Sequence, residues 1–362
     1  MTMLFLDNEA IEPLIDPAPF IAAQDAAYRA FAQGTGVCPP RIDVQSAEGE
    51  GGRHFQLGLS AGIGETYAAL RIKADVVFEE MIEGRRRKNK FCGKPGQYCG
   101  LVLLFDRQSG APLALMHDGL MQKMRVGADS ALGALYLARE NSRVLGILGS
   151  GGMARAHVAT ICEVRPIERL VVFSPNRANR ERFATDMAER HGIEAVAVDS
   201  PEAVAAQSDI LTSCASAVGP MIAGRYLRPG QHVTCIGGTL DAQADAMIDV
   251  ALRFGLAPAP AEIPDVQVED ECLSFVEGHE KSQSGGTRRY ARVPDEKRIS
   301  FAELIADPSR GRSDPRQITF SERGNVHGLQ FSAVAGVLYE AALAAQAGRR
   351  LSPDLFLQSI RN

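Results

Sequence analysis

The sequence has no basic excess: 39 Lys and Arg stand against 44 Asp and Glu, a formal net charge of −5 over 362 residues. The electrostatic footprint of a nucleic-acid-binding protein is therefore missing, and no nucleic-acid partner is expected. There is no run of about 20 apolar residues, so no membrane-spanning helix is expected either. The opening stretch, MTMLFLDNEAIEPLID, lacks the basic segment and apolar core of a signal peptide, which points to a cytoplasmic protein. The seven cysteines are scattered and odd in number, with no CxxC pair. That pattern predicts reduced thiols and no bound metal. No internal repeat is visible.

What is present is ordinary globular composition, 45% hydrophobic and 23% charged. A prior of roughly 150 residues per domain suggests two domains. Between residues 144 and 238 short apolar runs alternate with helical patterns. VLGILG, RLVVFS, EAVAV, DILTSCA and HVTCIGG read as strands. Helices are expected from Met153 to about Val164 and over RANRERFATDMAERHG, the latter closed by Gly192. A short helix should follow Ser200 as cap with Pro201 at its first position. Strand–helix alternation with short loops predicts an α/β fold with a doubly wound parallel sheet.

The first 125 or so residues differ. In YAALRIKADVVF, Leu70, Ile72, Ala74 and Val76 share one strand face, and Arg71, Lys73 and Asp75 share the other. GLVLLFDRQSGAPLALMHDG reads as two strands turning at Ser109-Gly110. This half is expected to be α+β with an antiparallel sheet. The cationic stretch within EGRRRKNKFCGKPGQYCG is expected to be a solvated loop, with a pocket rim as the alternative. Residues 257–295, rich in Pro, Gly and charge, are expected to be irregular. NVHGLQFSAVAGVLYEAALAAQ (325–346) is a helix apolar on more than one face, expected to pack between domains or subunits.

The densest glycine cluster is GILGSGGMARAH. It contains Gly149-Ser150-Gly151-Gly152-Met153-Ala154, the pattern G-x-G-x-x-A, directly after a predicted strand and opening a predicted helix. That context is what a dinucleotide-binding loop requires. Gly149 permits the tight turn, Gly151 lets the backbone approach a pyrophosphate, and Ala154 allows close helix–strand packing. The helix N-terminus presents N–H groups to the anion. After the second strand comes Phe173-Ser174-Pro175-Asn176-Arg177, without a carboxylate to hold a ribose 2′-hydroxyl. Ser174, Asn176 and Arg177, with Arg180 in reserve, suit a 2′-phosphate. NADP(H) is expected over NAD(H), unless Arg177 and Arg180 are merely solvated helix residues. His157 reads as packing or surface; His117 and Asp118 are open between a site role and none.

Four stretches together resemble the ornithine cyclodeaminase/mu-crystallin family: MRVGADSALGALYLA (124–138), LGILGSGGMARAH (145–157), LRPGQHVTCIGG (227–238) and FAELIADPSRGRSDPRQITF (301–320). The resemblance runs from about residue 4 to 348. It implies a Rossmann-type dinucleotide-binding domain, 126–324, and a discontinuous substrate-binding and dimerisation domain, 1–125 plus 325–362. It further implies a homodimer joined through the N-terminal sheets, and a small amino- or imino-acid ligand.

By the same resemblance Arg125 grips a substrate carboxylate, as a guanidinium fork can. Arg41, in CPPRIDV, matches a second family arginine. A family lysine falls on Arg71 in strict register, with Lys73 two residues on and on the same face. Arg71 and Lys73 are the catalytic candidates, Lys73 as proton donor. Val126 stands where the family has a threonine on the cofactor phosphate. Gly237 joins the cofactor contacts, but Gly237-Gly238 is followed by Thr239, where cyclodeaminases carry an aspartate. Asp241 lies two residues off that position, and Asp245 matches a distal acidic one. The resemblance therefore implies a reductase of carboxylate-bearing imines or an amino-acid dehydrogenase, ahead of an ammonia-releasing lyase or a ligand-binding protein. The stretch SERGNVHGLQF departs from the family pattern and is expected to give a different pocket wall.

Overall fold

A computed structural model describes residues 3–82, 85–217, 219–256, 272–278, 283–284, 293–322 and 326–360. Internal contacts divide the chain into two units. The first comprises Met1–Gln122, Leu256–Arg288 and Asn325–Asn362; the second comprises Lys123–Gly255 and Arg289–Gly324. The long helices are α1 (Pro17–Ala32), α2 (Gly119–Leu137), α3 (Gly152–Val164), α4 (Arg177–His191) and α5 (His327–Ala344).

The first unit is built on one mixed sheet. Its strands are β1 (Met3–Leu6), β2 (Arg41–Gln45), β3 (His54–Ile63), β4 (Tyr67–Ile82), β5 (Arg85–Phe91), β6 (Cys99–Asp106) and β7 (Pro112–His117). The central order is β2-β3-β4-β6-β7-β1, and the strand Cys272–Val276 runs parallel to β2 beyond it. The β6–β7 hairpin turns where expected, with Gly110 at φ +71°. Two local expectations are corrected. The cationic stretch is not a loop but the strand β5. At 16 residues β4 outruns β6, whose pairing ends at Ala74, and β5 takes the remaining edge, Phe91 opposite Val76 through Arg85 opposite Ile82. Within 257–295, Cys272–Val276 is a regular strand, because β2 offers it an open edge; most of that stretch lies outside the described residues.

The alternation along the sheet is inverted. In β3 the side with Gln56, Gly58, Ser60 and Gly62 is buried, while Phe55 and Ile63 are exposed. In β4 the buried face carries Ala69, Asp75 and Val77, with Arg71 and Lys73 half-buried among them. The polar face is covered because α5 lies on it. A helix apolar all round is a buried one, and eight consecutive residues from His327 to Val334 include seven that are buried. Within the first unit α5 packs against α1, β3 and β4. Gln330 donates to Gln24 (3.0 Å) and to the Tyr28 hydroxyl (2.6 Å), which satisfies its buried amide. A Cβ on Gly62 would lie 2.2 Å from the Leu329 nitrogen, and one on Gly328 1.8 Å from the Ala61 carbonyl. Two glycines thus let helix and sheet touch backbone to backbone.

The second unit has β8 (Val144–Leu148), β9 (Arg169–Phe173), β10 (Glu194–Ala197), β11 (Ile210–Cys214), β12 (His232–Gly237) and β13 (Val250–Arg253). They form a parallel sheet in the order β10-β9-β8-β11-β12, then Thr319–Glu322, β13 and Arg298–Ser300. The order reverses between β8 and β11, which makes a topological switch point. The signals that start and stop the helices are the expected ones. Ser200 caps the helix Pro201–Ala205 through the Ala203 N–H. Gly192 ends α4 at φ +65°.

Candidate active site

The glycine loop lies at the carboxyl end of β8, at the switch point where α/β sheets bind ligands. Gly149 has φ +120°, a conformation that L side chains rarely adopt, and a Cβ there would lie 2.9 Å from the Cys214 carbonyl. Its N–H donates to Phe173 O (2.8 Å), which ties the turn to β9. Gly151 is the N-cap of α3 with no side-chain cap, and the space where its Cβ would stand is open for 4 Å. Ala154 is fully buried against the sheet. Ser150 and Met153 complete the loop; the Ser150 hydroxyl donates to Ser174 Oγ (2.9 Å). Gly237 ends β12, where a Cβ would strike the Ala215 carbonyl at 1.8 Å, so the two strand ends converge around a position with room only for hydrogen. The loop thus offers a backbone surface and a 13-residue helix N-terminus, and these fit a dinucleotide pyrophosphate.

The floor beneath this loop is tied by buried hydrogen bonds. His157 is completely buried; it hydrogen-bonds Met153 O (2.7 Å) and Ser130 Oγ (3.0 Å), and Ser130 in turn reaches Thr234 Oγ1 (3.1 Å). Burial pushes the imidazole pKa down to about 4, so it is neutral and acts as a brace. Of the two readings for His157, packing holds and surface does not. Beyond β9, Asn176 caps α4 through the Asn179 N–H (2.9 Å). Arg177 is exposed and pairs with Glu181 (2.7 Å). Arg180 is buried, donating to Ser174 O (3.0 Å) and pairing with Asp199. Only one of these two arginines, Arg177, is a solvated helix residue.

In the first unit, Arg41, Arg71 and Lys73 share the buried face of the sheet, each with a carboxylate. Arg71 spends Nε (2.8 Å) and Nη2 (2.6 Å) on Asp118 Oδ2, and its guanidinium lies 4.8 Å from the Phe331 ring centroid. Arg41 does the same with Asp43 Oδ1, at 2.8 and 2.7 Å. Lys73 Nζ is 2.5 Å from Asp75 Oδ2, which Lys90 also approaches at 3.3 Å. Lys73 stands in register between Gly58 and Gly100. A Cβ at Gly58 would meet Asp43 Oδ1 at 2.9 Å, and one at Gly100 would meet Asp118 Oδ1 at 2.1 Å. The glycines on either side of Lys73 therefore make the room that the carboxylates occupy. Burial lowers the Lys73 pKa to about 8; the Lys90 charge pushes the same way, against the pull of Asp75.

The structure brings Arg41, Arg71 and Lys73 onto one sheet face, and it places Arg125, buried, on α2 in the second unit. It adds Asp43, Asp75 and Asp118, so Arg41, Arg71 and Lys73 each have a carboxylate partner. Asp118 holds Arg71, while His117 accepts from the Asn8 N–H (3.3 Å). Val126 is buried. Asp241 is occupied as a cap: its Oδ1 accepts from the N–H of Ala244 (2.7 Å) and Gly224 (2.9 Å). Of the divergent stretch near the C-terminus, 323–325 lie outside the described residues. No cluster of metal-ligating side chains occurs among the described residues.

A switch-point loop shaped for a dinucleotide lies in the second unit, and the first unit carries a buried sheet face with guanidinium and ammonium groups; the first feature is that of a dinucleotide-binding protein. The chain belongs to the ornithine cyclodeaminase/mu-crystallin family, whose model matches residues 3–345. It is 24% identical over 360 residues to an alanine dehydrogenase of Archaeoglobus fulgidus, which covers 97% of this chain and 98% of that one. Among solved structures it resembles the Δ1-pyrroline-2-carboxylate reductase of Thermococcus litoralis in complex with NADH and L-proline, with TM-score 0.73 and 25% identity over 96% of this chain and all of that one. An archaeal alanine dehydrogenase dimer with bound NAD gives TM-score 0.72 at 23% identity, over 97% of this chain and 99% of that one.

Proposed function

We propose that this protein is an NAD(P)H-dependent reductase of a small imine bearing a carboxylate, yielding an amino acid. The carrying observation is Lys73, a half-buried ammonium with pKa about 8, on the same strand face as the anchored guanidinium of Arg71. The family membership and the pyrroline-2-carboxylate reductase likeness support the substrate class. When bound, the nicotinamide supplies a hydride to the imine carbon. The chain supplies position and a proton. A guanidinium has five N–H donors; Asp118 takes two of Arg71 and Asp43 two of Arg41, so each keeps three for a carboxylate while its orientation is fixed. Arg125 is a further carboxylate ligand. Lys73 Nζ gives its proton to the imine nitrogen, and a pKa near working pH suits a group that must both donate and be recharged.

Gly149–Ala154 and Gly237 hold the coenzyme. We read NADPH as preferred: residues 174–177 carry no carboxylate, and the exposed Arg177 can exchange Glu181 for a 2′-phosphate. The lyase alternative loses support because Thr239 is no base and the Asp241 carboxylate caps a helix. The protein acts as a homodimer, since the outward sheet face bearing Val44, Phe55 and Ile63 is exposed and apolar in the single chain. No helix among the described residues is long and apolar enough to cross a membrane.

The test is loss of nicotinamide absorbance with cyclic imino acids, or with keto acid–amine pairs. Turnover is expected, with a lower KM for NADPH than for NADH. Ammonia release from ornithine without net coenzyme change would establish the lyase instead, and coenzyme binding without turnover would establish a binding protein.

A further inference from the structure

The dinucleotide fingerprint accounts for Gly149, Gly151 and Ala154, but it asks nothing of Gly152. The structure gives Gly152 a separate reason. A Cβ there would lie 3.1 Å from both Cε and Nζ of Lys123, and 3.2 Å from its Cδ. The end of the lysine side chain, reaching across from α2, lies so close that a side chain at 152 would push it aside by a few tenths of an ångström. Its ammonium rests against the first residue of α3. Both helix segments belong to the second unit.

This is an odd place for a cation. The start of α3 already carries N–H groups without helical partners and the positive end of the helix dipole. Lys123 is half-buried, and it pairs with no carboxylate among the described residues. Ammonium and helix end repel each other, with no described carboxylate set between them. An anion lying across the loop would remove the repulsion and accept hydrogen bonds from both.

We propose that Lys123 is a ligand of the coenzyme's diphosphate, and that Gly152 leaves the room that lets it reach. The proposal rests on the glycine loop being a dinucleotide site. It adds what the fingerprint does not contain: a charged side-chain donor, supplied by a neighbouring helix. A diphosphate ligand must act on every nucleotide that carries the diphosphate, whatever is attached at its two ends.

The experiment titrates the full-length wild type, Lys123→Met and Lys123→Arg with NADH, NADPH and ADP-ribose by calorimetry, and records melting temperatures with and without each. Lys123→Met should weaken all three by a similar factor, about tenfold. Lys123→Arg should retain most of the affinity. The ligand-free melting temperature of Lys123→Met should equal or exceed that of the wild type, because a like charge leaves the helix end, while its ligand-induced rise shrinks. Unchanged affinity for all three would overturn the proposal and leave the dinucleotide site standing. A loss confined to NADPH would move Lys123 to the 2′-phosphate and overturn it. A lower ligand-free melting temperature with unaltered ligand-induced rises would make Lys123 structural and overturn it. If the wild type binds none of the three, the dinucleotide site itself falls.

Discussion

Lys73 shows how a single strand position acquires chemistry. Its neighbours in register are glycines, its ion partner is Asp75, and burial outweighs that partner in setting its acidity. Because its pKa lies near 8, the ammonium form is present below that pH and is lost above it. Reduction needs the donor protonated, so kcat/KM should hold level in neutral solution and fall as pH rises through about 8. Lys73→Met should lower kcat by roughly 10²–10³-fold, within the usual range for general acid catalysis, and flatten that alkaline limb. Retention of the limb in the variant would place the titrating group elsewhere. The strand period made part of this cluster legible: Asp43 lies two residues after Arg41 and Asp75 two after Lys73, so each pair shares a face. Asp118 carries no such signal, since 47 residues separate it from Arg71 and only the fold joins them.

Among the elements, the contact of α5 with β3 fixes which face of the sheet is inside. The backbone meets at Gly62 and Gly328, and added methyl groups there would collide with backbone atoms that cannot swing aside. Gly328→Ala should therefore destabilise the protein by about 3 kcal/mol, at the upper end for overpacking. Urea unfolding measures this directly, and a loss below about 0.5 kcal/mol, the size of an ordinary surface substitution, would count against the crossing. The alternating strands, the β6–β7 turn and the capped helices of the second unit were all readable, because each depends on residues a few positions apart. The strand β5 was not. Six cations and amides in a row look like a solvated loop until an edge of β4 is available to pair with them.

For the whole molecule, the feature that bears on assembly is exposed apolar surface on the first sheet. Val44, Phe55, Ile63 and Phe275 are each at least 40% exposed on strands of the first unit. Contiguous patches of this kind mark interaction sites. A homodimer through this face should be lost in a Val44→Lys, Phe55→Asp double variant, and light scattering would then report one chain instead of two. A wild-type protein that already runs as a monomer would remove the assignment. The proposed function gives each face of these strands a separate role, substrate binding on one and a second copy on the other.

The sequence by itself determined the parallel sheet, the glycine turn at its switch point and the set of cations on one strand, since each follows from local period, cap or turn chemistry. Tertiary structure alone decided which face of the first sheet is buried, which carboxylate holds Arg71, and why Gly62 and Gly328 have no side chains. Those outcomes depend on contacts between segments distant in the chain, where the space left by one residue is filled by another that no spacing rule connects to it.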